Sequence, residues 1–237
     1  MRRNRRRAAA TSLDVPSASK RRTSNRDLFE TADRGIDLDS TLATTIAERG
    51  WAYARHFLDR PVWSRLAEEL RLAERDDKLR PAGLGARQRY RVVEDIRGDR
   101  IQWLGAAACS EAQAQALSRL EELRLACNRE LQLGLLDFEG HLALYPAGSY
   151  YRRHRDQPVD SDARVLSCLL YLNDDWKQED GGCLRLYLDD GDAGRRIDVL
   201  PEGGALVCFL SAHFFHEVLP ATRDRLSLAG WFRRRQM

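Results

Sequence analysis

HLALYPAGSYYRRHRDQPVDSDARVLSCLLYLN, residues 141–173, breaks into short β-type runs rich in Leu, Tyr and Val, separated by Pro, Gly, Asp and Asn. The texture continues to the end of the chain. Eight such runs can be marked, at 141–146, 150–156, 164–172, 183–188, 195–200, 204–210, 214–219 and 225–234. The residues before them follow a helical period. Leu42, Ile46, Trp51, Tyr53 and Phe57 predict a helix over Asp39–Phe57 interrupted near Gly50, and Pro61 opens a second helix through Trp63, Leu66, Leu70 and Leu72. Ser110 with Gln113 forms a capping box for a long helix over 111–133, carrying Ala114, Leu117, Leu120, Leu123, Leu125, Cys127 and Leu131. Residues 77–105 between them are a long loop with an extended piece around Ile101 and Trp103. Helices followed by many short strands predict an α+β fold: a jelly-roll or cupin-like barrel, a double-stranded β-helix, buttressed by N-terminal and central helices. The expected division is a disordered basic tail at 1–38 and a single domain at 39–237, with helical support over 39–136 and the barrel over 141–235.

Composition narrows the function. The 237 residues are 43% hydrophobic and 32% charged, enough apolar content for one sizeable core. The longest nearly apolar run, Val165–Leu172, is far too short to cross a bilayer, so no membrane partner and a cytoplasmic location are expected. Cys109, Cys127, Cys168, Cys183 and Cys208 are odd in number and lack Cys-x-x-Cys spacing, as reduced core thiols would be. Charge is divided unevenly. Residues 1–26 hold nine Arg/Lys and one acid, a net of +8; the rest, 30 basic against 35 acidic, carries −5. The part able to fold would repel phosphate, so a nucleic-acid partner is not expected beyond weak contact through the tail. The tail itself reads as inert, as a basic contact arm, or as a targeting segment.

His154 and Asp156 stand two apart in a predicted strand, so both side chains leave one face and can share a metal. A histidine from a distant strand, His213 or His216, would complete a 2-His-1-carboxylate face, which suits non-haem Fe(II) with open coordination positions. His-x-Asp alone is a weak signal that a surface strand can carry. Arg225, nine residues after His216 in TRDRLSLAGW, is a donor fork suited to gripping a carboxylate, or else a surface strand arginine.

The segments YPAGSYYRRHRD, RVLSCLLYLNDDW, EDGGCLRLY, FFHEVLP and TRDRLSLAGW, in that order, resemble the Fe(II)- and 2-oxoglutarate-dependent dioxygenases. Within them they are most similar to the prolyl 4-hydroxylases of the oxygen-sensing, hypoxia-inducible-factor type, in a bacterial-like form. EDIRGDRIQW, residues 94–103, resembles the substrate-loop region of the same subgroup. The resemblance covers about residues 40–235. It implies His154, Asp156 and His216 as iron ligands, with His213 left structural or loop-exposed. It implies Arg225 as partner of the distal carboxylate of 2-oxoglutarate, helped by Tyr171, with Tyr145 and Trp231 lining the co-substrate pocket. The cofactors implied are Fe(II), 2-oxoglutarate and O2, with ascorbate. Arg97, Asp99 and Arg164 match positions beside a bound peptide. Each has a plainer reading: Tyr145, Tyr171 and Trp231 as core aromatics, and Arg97 with Asp99 as a salt-bridged loop. The implied activity is hydroxylation of a prolyl residue in a protein by a monomeric enzyme, with release of succinate and CO2. The bacterial members are linked to elongation factor Tu. The rivals are a hydroxylase of a free amino acid or other small molecule, a nucleic-acid demethylase, and a non-catalytic oxygen- or 2-oxoglutarate-binding module.

Overall fold

The computed structural model describes residues 37–83, 93, 95–105, 109–158, 161–189 and 194–236. The basic tail expected over 1–38 falls almost wholly outside them. Its boundary moves, because Asp37 accepts from the backbone N–H groups of Asp39 and Ser40 and so caps a helix that already includes Leu38.

That helix, α1 (Leu38–Arg49), ends at Gly50, whose φ of +80° is a left-handed cap. A side chain at Gly50 would also meet Phe214, its Cβ lying 2.8 Å from the ring. The expected continuation of the helix to Phe57 is not found: Trp51–Ala54 is a strand, β1. Trp51 and Tyr53 fit a helical stripe or a strand's alternation equally well, and pairing with residues 206–209 decides for the strand. Helix α2 (Arg60–Arg75) begins with Pro61 in its first turn and buries Trp63, Leu66, Ala67, Leu70 and Ala73, while Leu72 is exposed. Helix α3 (Glu111–Leu131) is capped by Ser110, whose hydroxyl accepts from the Gln113 N–H at 3.1 Å. Its buried stripe is Ala112, Ala116, Leu120, Leu123 and Cys127, so Ala114 and Leu125 face solvent rather than the core.

The remaining strands are β2 (Arg80–Pro81), β3 (Arg100–Trp103), β4 (Asp137–Tyr145), β5 (Tyr151–His154), β6 (Arg164–Tyr171), β7 (Leu184–Tyr187), β8 (Arg196–Val199), β9 (Leu206–Leu210), β10 (Phe215–Val218) and β11 (Arg225–Arg233). All eight expected runs contain a strand, although the first begins at Asp137 rather than 141. A seven-stranded sheet, β1-β9-β6-β11-β4-β3-β2, faces a four-stranded sheet, β5-β10-β7-β8. The two antiparallel sheets form the double-stranded β-helix. The N-terminal half is therefore not purely helical support, because β1, β2 and β3 extend the large sheet at both edges.

Strand alternation divides the large sheet into two faces. One packs against the helices: α1 lies on β1 and β9, and α2 on β4 and β11. Leu166, Cys168, Leu170, Leu206, Cys208, Leu226, Leu228 and Phe232 are buried on this face, and Cys168 and Cys208 are paired across β6 and β9. Four cysteines are buried free thiols as expected, whereas Cys109 is exposed at the start of the α3 cap. The opposite face looks into the barrel and carries Ser167, Tyr171, Arg225, Trp231, His141 and Tyr145.

Candidate active site

His154 ends β5 and lies opposite His216 of β10 in the strand register, with ring centroids 4.1 Å apart. Asp156 is not on the strand; it sits in the bend just after it, and the bend still turns its carboxylate toward both rings. The His154 and His216 Nε2 atoms lie each 3.5 Å from an Asp156 oxygen, and one ligand atom from each of the three residues falls within 4.8 Å of the others. Backbone carbonyls orient the rings. His154 Nδ1 faces the Arg152 carbonyl at 2.7 Å and His216 Nδ1 the Phe214 carbonyl at 3.4 Å. With Nδ1–H donating there, both Nε2 lone pairs point into the cluster. His154 stacks on Tyr151 with 3.6 Å between centroids, and His216 packs on Phe209 at 4.7 Å.

The protonation states suit a cation. Burial would raise Asp156, but His216, His154 and the Ser167 hydroxyl hold its carboxyl well below the usual range. Burial, with His154 alongside, pushes His216 down to about 4 against the pull of Asp156, so it is neutral at pH 7. One carboxylate and two imidazoles with Nε2 turned inward form a donor set for a divalent first-row metal. His213 lies in the turn before β10, exposed and outside the cluster.

Arg225, at the start of β11, is 1% exposed. Its Nε donates to the Gly182 carbonyl at 2.9 Å, while Nη1, Nη2 and the nearby Tyr171 hydroxyl are buried with no hydrogen-bond partner among the described residues. The rings of Tyr171 and Tyr145 lie 5.1 and 5.3 Å from its guanidinium carbon. Burial raises the Tyr171 phenol, so its hydroxyl is a proton donor. A buried, unpaired guanidinium beside a free hydroxyl is costly unless an anion fills the space. Tyr171 and the Asp156 partner Ser167 both face this interior from β6, so a diacid can lie along the strand with one end toward the metal cluster and the other toward the guanidinium. The residues present thus fit both Fe(II) and 2-oxoglutarate.

The other sequence-derived positions pair with one another or with aromatic rings. Arg97 and Asp99 form a buried two-point pair at 2.7 and 2.6 Å, and the Arg97 guanidinium also lies over the Tyr151 ring at 4.4 Å. Burial opposes the Arg97 charge and Asp99 more than restores it. Both Asp99 oxygens are engaged by Arg97, so the pair holds Tyr151 and the segment it belongs to. Arg164 stacks on Trp231, 3.4 Å from its centroid, and reaches Glu139. Trp231 lies six residues along β11 from Arg225 and pairs with Ser167, the residue that holds Asp156.

Three features of the site were not read from the sequence. Ser167 donates to Asp156 at 2.7 Å and shares a 2.8 Å contact with the Ser211 hydroxyl, bracing the carboxylate. Asn173 ties Pro201 and Leu226 together, donating to both carbonyls and accepting from the Leu226 N–H, which fixes the entry to Arg225. His141 is buried in the wall. Ser167 could have been found, since it shares inward parity with Tyr171 in RVLSCLLY; the others depend on contacts between distant segments.

Residues 140–233 match the 2OG-Fe(II) oxygenase superfamily. The chain is 32% identical over 184 residues to Egl nine homolog 1 of Homo sapiens, covering 74% of this chain and 42% of that protein. With its Rattus norvegicus counterpart covered to 53%, the chain spans about half the length of these curated relatives. Among solved structures, a Pseudomonas putida prolyl-4-hydroxylase superposes with a TM-score of 0.75 and 46% identity, over 83% of this chain and 99% of that one. A prolyl hydroxylase from Trichoplax adhaerens, in complex with a hypoxia inducible factor oxygen degradation domain peptide fragment, gives 0.72 and 26% over 83% and 89%.

Proposed function

The chain belongs to the 2OG-Fe(II) oxygenase superfamily, and from that membership we propose that it hydroxylates a prolyl residue in a protein, releasing succinate and CO2. The observation that carries the oxygenase reading is the buried Arg225 guanidinium with its two unpartnered nitrogens, facing the same interior as the His154–Asp156–His216 cluster. Similarity to the Pseudomonas and Trichoplax prolyl hydroxylases supports proline in a polypeptide as the target, and elongation factor Tu is the first protein to test.

His154, Asp156 and His216 would hold Fe(II) from one side, and Arg225 with Tyr171 would hold the distal carboxylate of 2-oxoglutarate. When bound, these groups with O2 supply the chemistry, in which one oxygen atom enters a substrate C–H bond and the other leaves in succinate. The protein's own work is orientation and exclusion of water. Ser167 and Ser211 keep Asp156 from turning, the backbone carbonyls keep the imidazole tautomers, and Gly182 aims the guanidinium. The aromatic wall of Tyr145, Tyr151, Trp231 and Phe209 keeps the interior dry. Among the described residues no helix is long and apolar enough to cross a membrane.

The test is an anaerobic titration with Fe(II) and 2-oxoglutarate, following the visible metal-to-ligand charge-transfer band. Wild type gives the band and His154→Ala loses it. Arg225→Ala needs roughly 10- to 100-fold more 2-oxoglutarate, the cost of losing charge-assisted hydrogen bonds. Mass spectrometry then looks for one added oxygen on a prolyl residue of elongation factor Tu and of other proteins in a cell extract. A folded, metal-bound wild type without the band sinks the oxygenase assignment. Turnover of free proline with no protein target would replace the prolyl-protein reading by a small-molecule one.

A further inference from the structure

Strand β4 carries a histidine that the metal cluster does not use. His141 is 4% exposed and shares the inward parity of Tyr145. Its ring stands between Trp103, edge-on at 4.9 Å, and Trp231 at 5.7 Å, with Arg164 stacked on the same Trp231. Trp103 is 53% exposed, so this aromatic row runs from solvent into the barrel. The His141 Nδ1 is buried with no hydrogen-bond partner among the described residues. Burial pushes the ring down to about 4, with Asp99 and Asp156 opposing and Arg97 and Arg164 assisting, so it is uncharged at pH 7.

An unpaired polar atom in a buried side chain calls for an explanation. Tyr171 and Arg225 carry the other unpaired atoms of this interior, and the co-substrate accounts for them. His141 pairs with Ala229, which pairs with Leu169, so its row falls between those of Tyr171 and Ser167, where a diacid held at its two ends presents only methylene groups and no acceptor. The remaining candidate is the substrate chain. A prolyl residue has no amide N–H, so its backbone presents only a carbonyl, and a group that holds it there must donate. The arginines nearby are committed, Arg97 to Asp99 and Arg164 to Glu139 and the Asp156 carbonyl. A neutral imidazole donates without bringing an uncompensated charge into the interior.

We propose that His141 orients the substrate: its Nδ1–H donates to a backbone carbonyl of the bound polypeptide at the target proline, with Trp103 and Trp231 setting the plane of the ring. This rests on the prolyl-hydroxylase reading.

The test uses the full chain with Fe(II) and 2-oxoglutarate and a synthetic library of peptides, each with one central proline and varied flanks. KM and kcat are then measured on the best peptide wild type selects. His141→Leu raises KM roughly 10-fold, the loss of one hydrogen bond to a desolvated partner, and changes kcat less; its charge-transfer band with Fe(II) and 2-oxoglutarate is that of wild type. His141→Asn, whose amide occupies the place of Nδ1, restores KM to within about threefold, whereas His141→Gln, whose amide falls at the place of Nε2, does not. A His141→Leu enzyme with unchanged KM overturns the proposal, as does a gain in melting temperature with unchanged KM, which would assign the Nδ1 site to an internal water. If the leucine variant does not fold, equal KM values for the asparagine and glutamine variants overturn it. A wild type that shows the band but modifies no library member removes the prolyl reading and the role of His141 with it, and is told apart from the other outcomes by that silence.

Discussion

His141 and His216 lie in one interior and are both neutral, His141 because burial outweighs the pull of Asp99 and His216 because burial and His154 outweigh Asp156. The sign of the resulting pH dependence is set by linkage. Unfolded, each imidazole takes up its proton near 6.5; folded, near 4. Between these values the unfolded chain binds protons that the folded one does not, so stability is lost as pH falls from 6.5 toward 4. For His141 the loss at the lower end is on the order of 3 kcal/mol. Urea unfolding of the metal-free protein across this window should therefore show a shallower decline for His141→Leu than for wild type, the residual slope coming from His216. An equal slope would show that His141 is not held neutral by the fold. At this scale the sequence was legible where spacing carries meaning: His154 and Asp156 are two apart, and the quoted motifs selected His216 over His213. Ser167 was legible only as an inward-facing position of β6, and Ser211 and His141 were not legible as site residues, because each acquires its role from a residue far along the chain, Ser167 in the first case and Trp103 in the second.

The segment Gly181–Gly182 links the elements to the chemistry. Gly181 has φ +69°, and a Cβ there would lie 2.7 Å from the Pro220 carbonyl oxygen, so only glycine lets the chain pass beneath residue 220. The next carbonyl, of Gly182, receives Arg225 Nε. Gly181→Ala should cost about 1–3 kcal/mol of stability and, by displacing that carbonyl, weaken 2-oxoglutarate binding severalfold in the charge-transfer titration. Loss of stability with unchanged 2-oxoglutarate affinity would show that Arg225 is positioned by something else. The element that the sequence misassigned, Trp51–Ala54, fails for a related reason. Four residues beginning with Trp and alternating with Ala and Tyr satisfy two periods at once, and the left-handed cap at Gly50 with the waiting edge of β9 settles which one holds. On α3 the expected stripe shares Leu120, Leu123 and Cys127 with the buried one, but at the N-terminal end Ala112 and Ala116 are buried in place of Ala114 and Leu117.

Across the whole molecule, the residues proposed to hold metal and co-substrate come from β4, β5, β6, β10, β11 and the bend after β5, so ligands that join them should stabilise the fold as a unit. Mn(II) with 2-oxoglutarate at about 100 times their dissociation constants adds roughly 2.7 kcal/mol, which for a domain of this size raises the melting temperature by roughly 5–10 °C. Asp156→Ala should abolish that rise; a rise that persists would place the metal elsewhere. What the sequence determined by itself is the part written in local periodicity and motif order: the switch from helical to strand texture, the eight barrel runs, the capped α3 helix, the candidate ligands and Arg225. Only the tertiary structure decided that β1, β2 and β3 complete the large sheet, that Asp156 reaches the cluster from a bend, that Arg97 and Asp99 satisfy each other, and that His141 is buried with an unpaired nitrogen. The physical reason is that periodicity and spacing act between near neighbours along the chain, whereas strand-edge pairing, desolvation and hydrogen-bond satisfaction depend on which distant segments the packed sheets bring together.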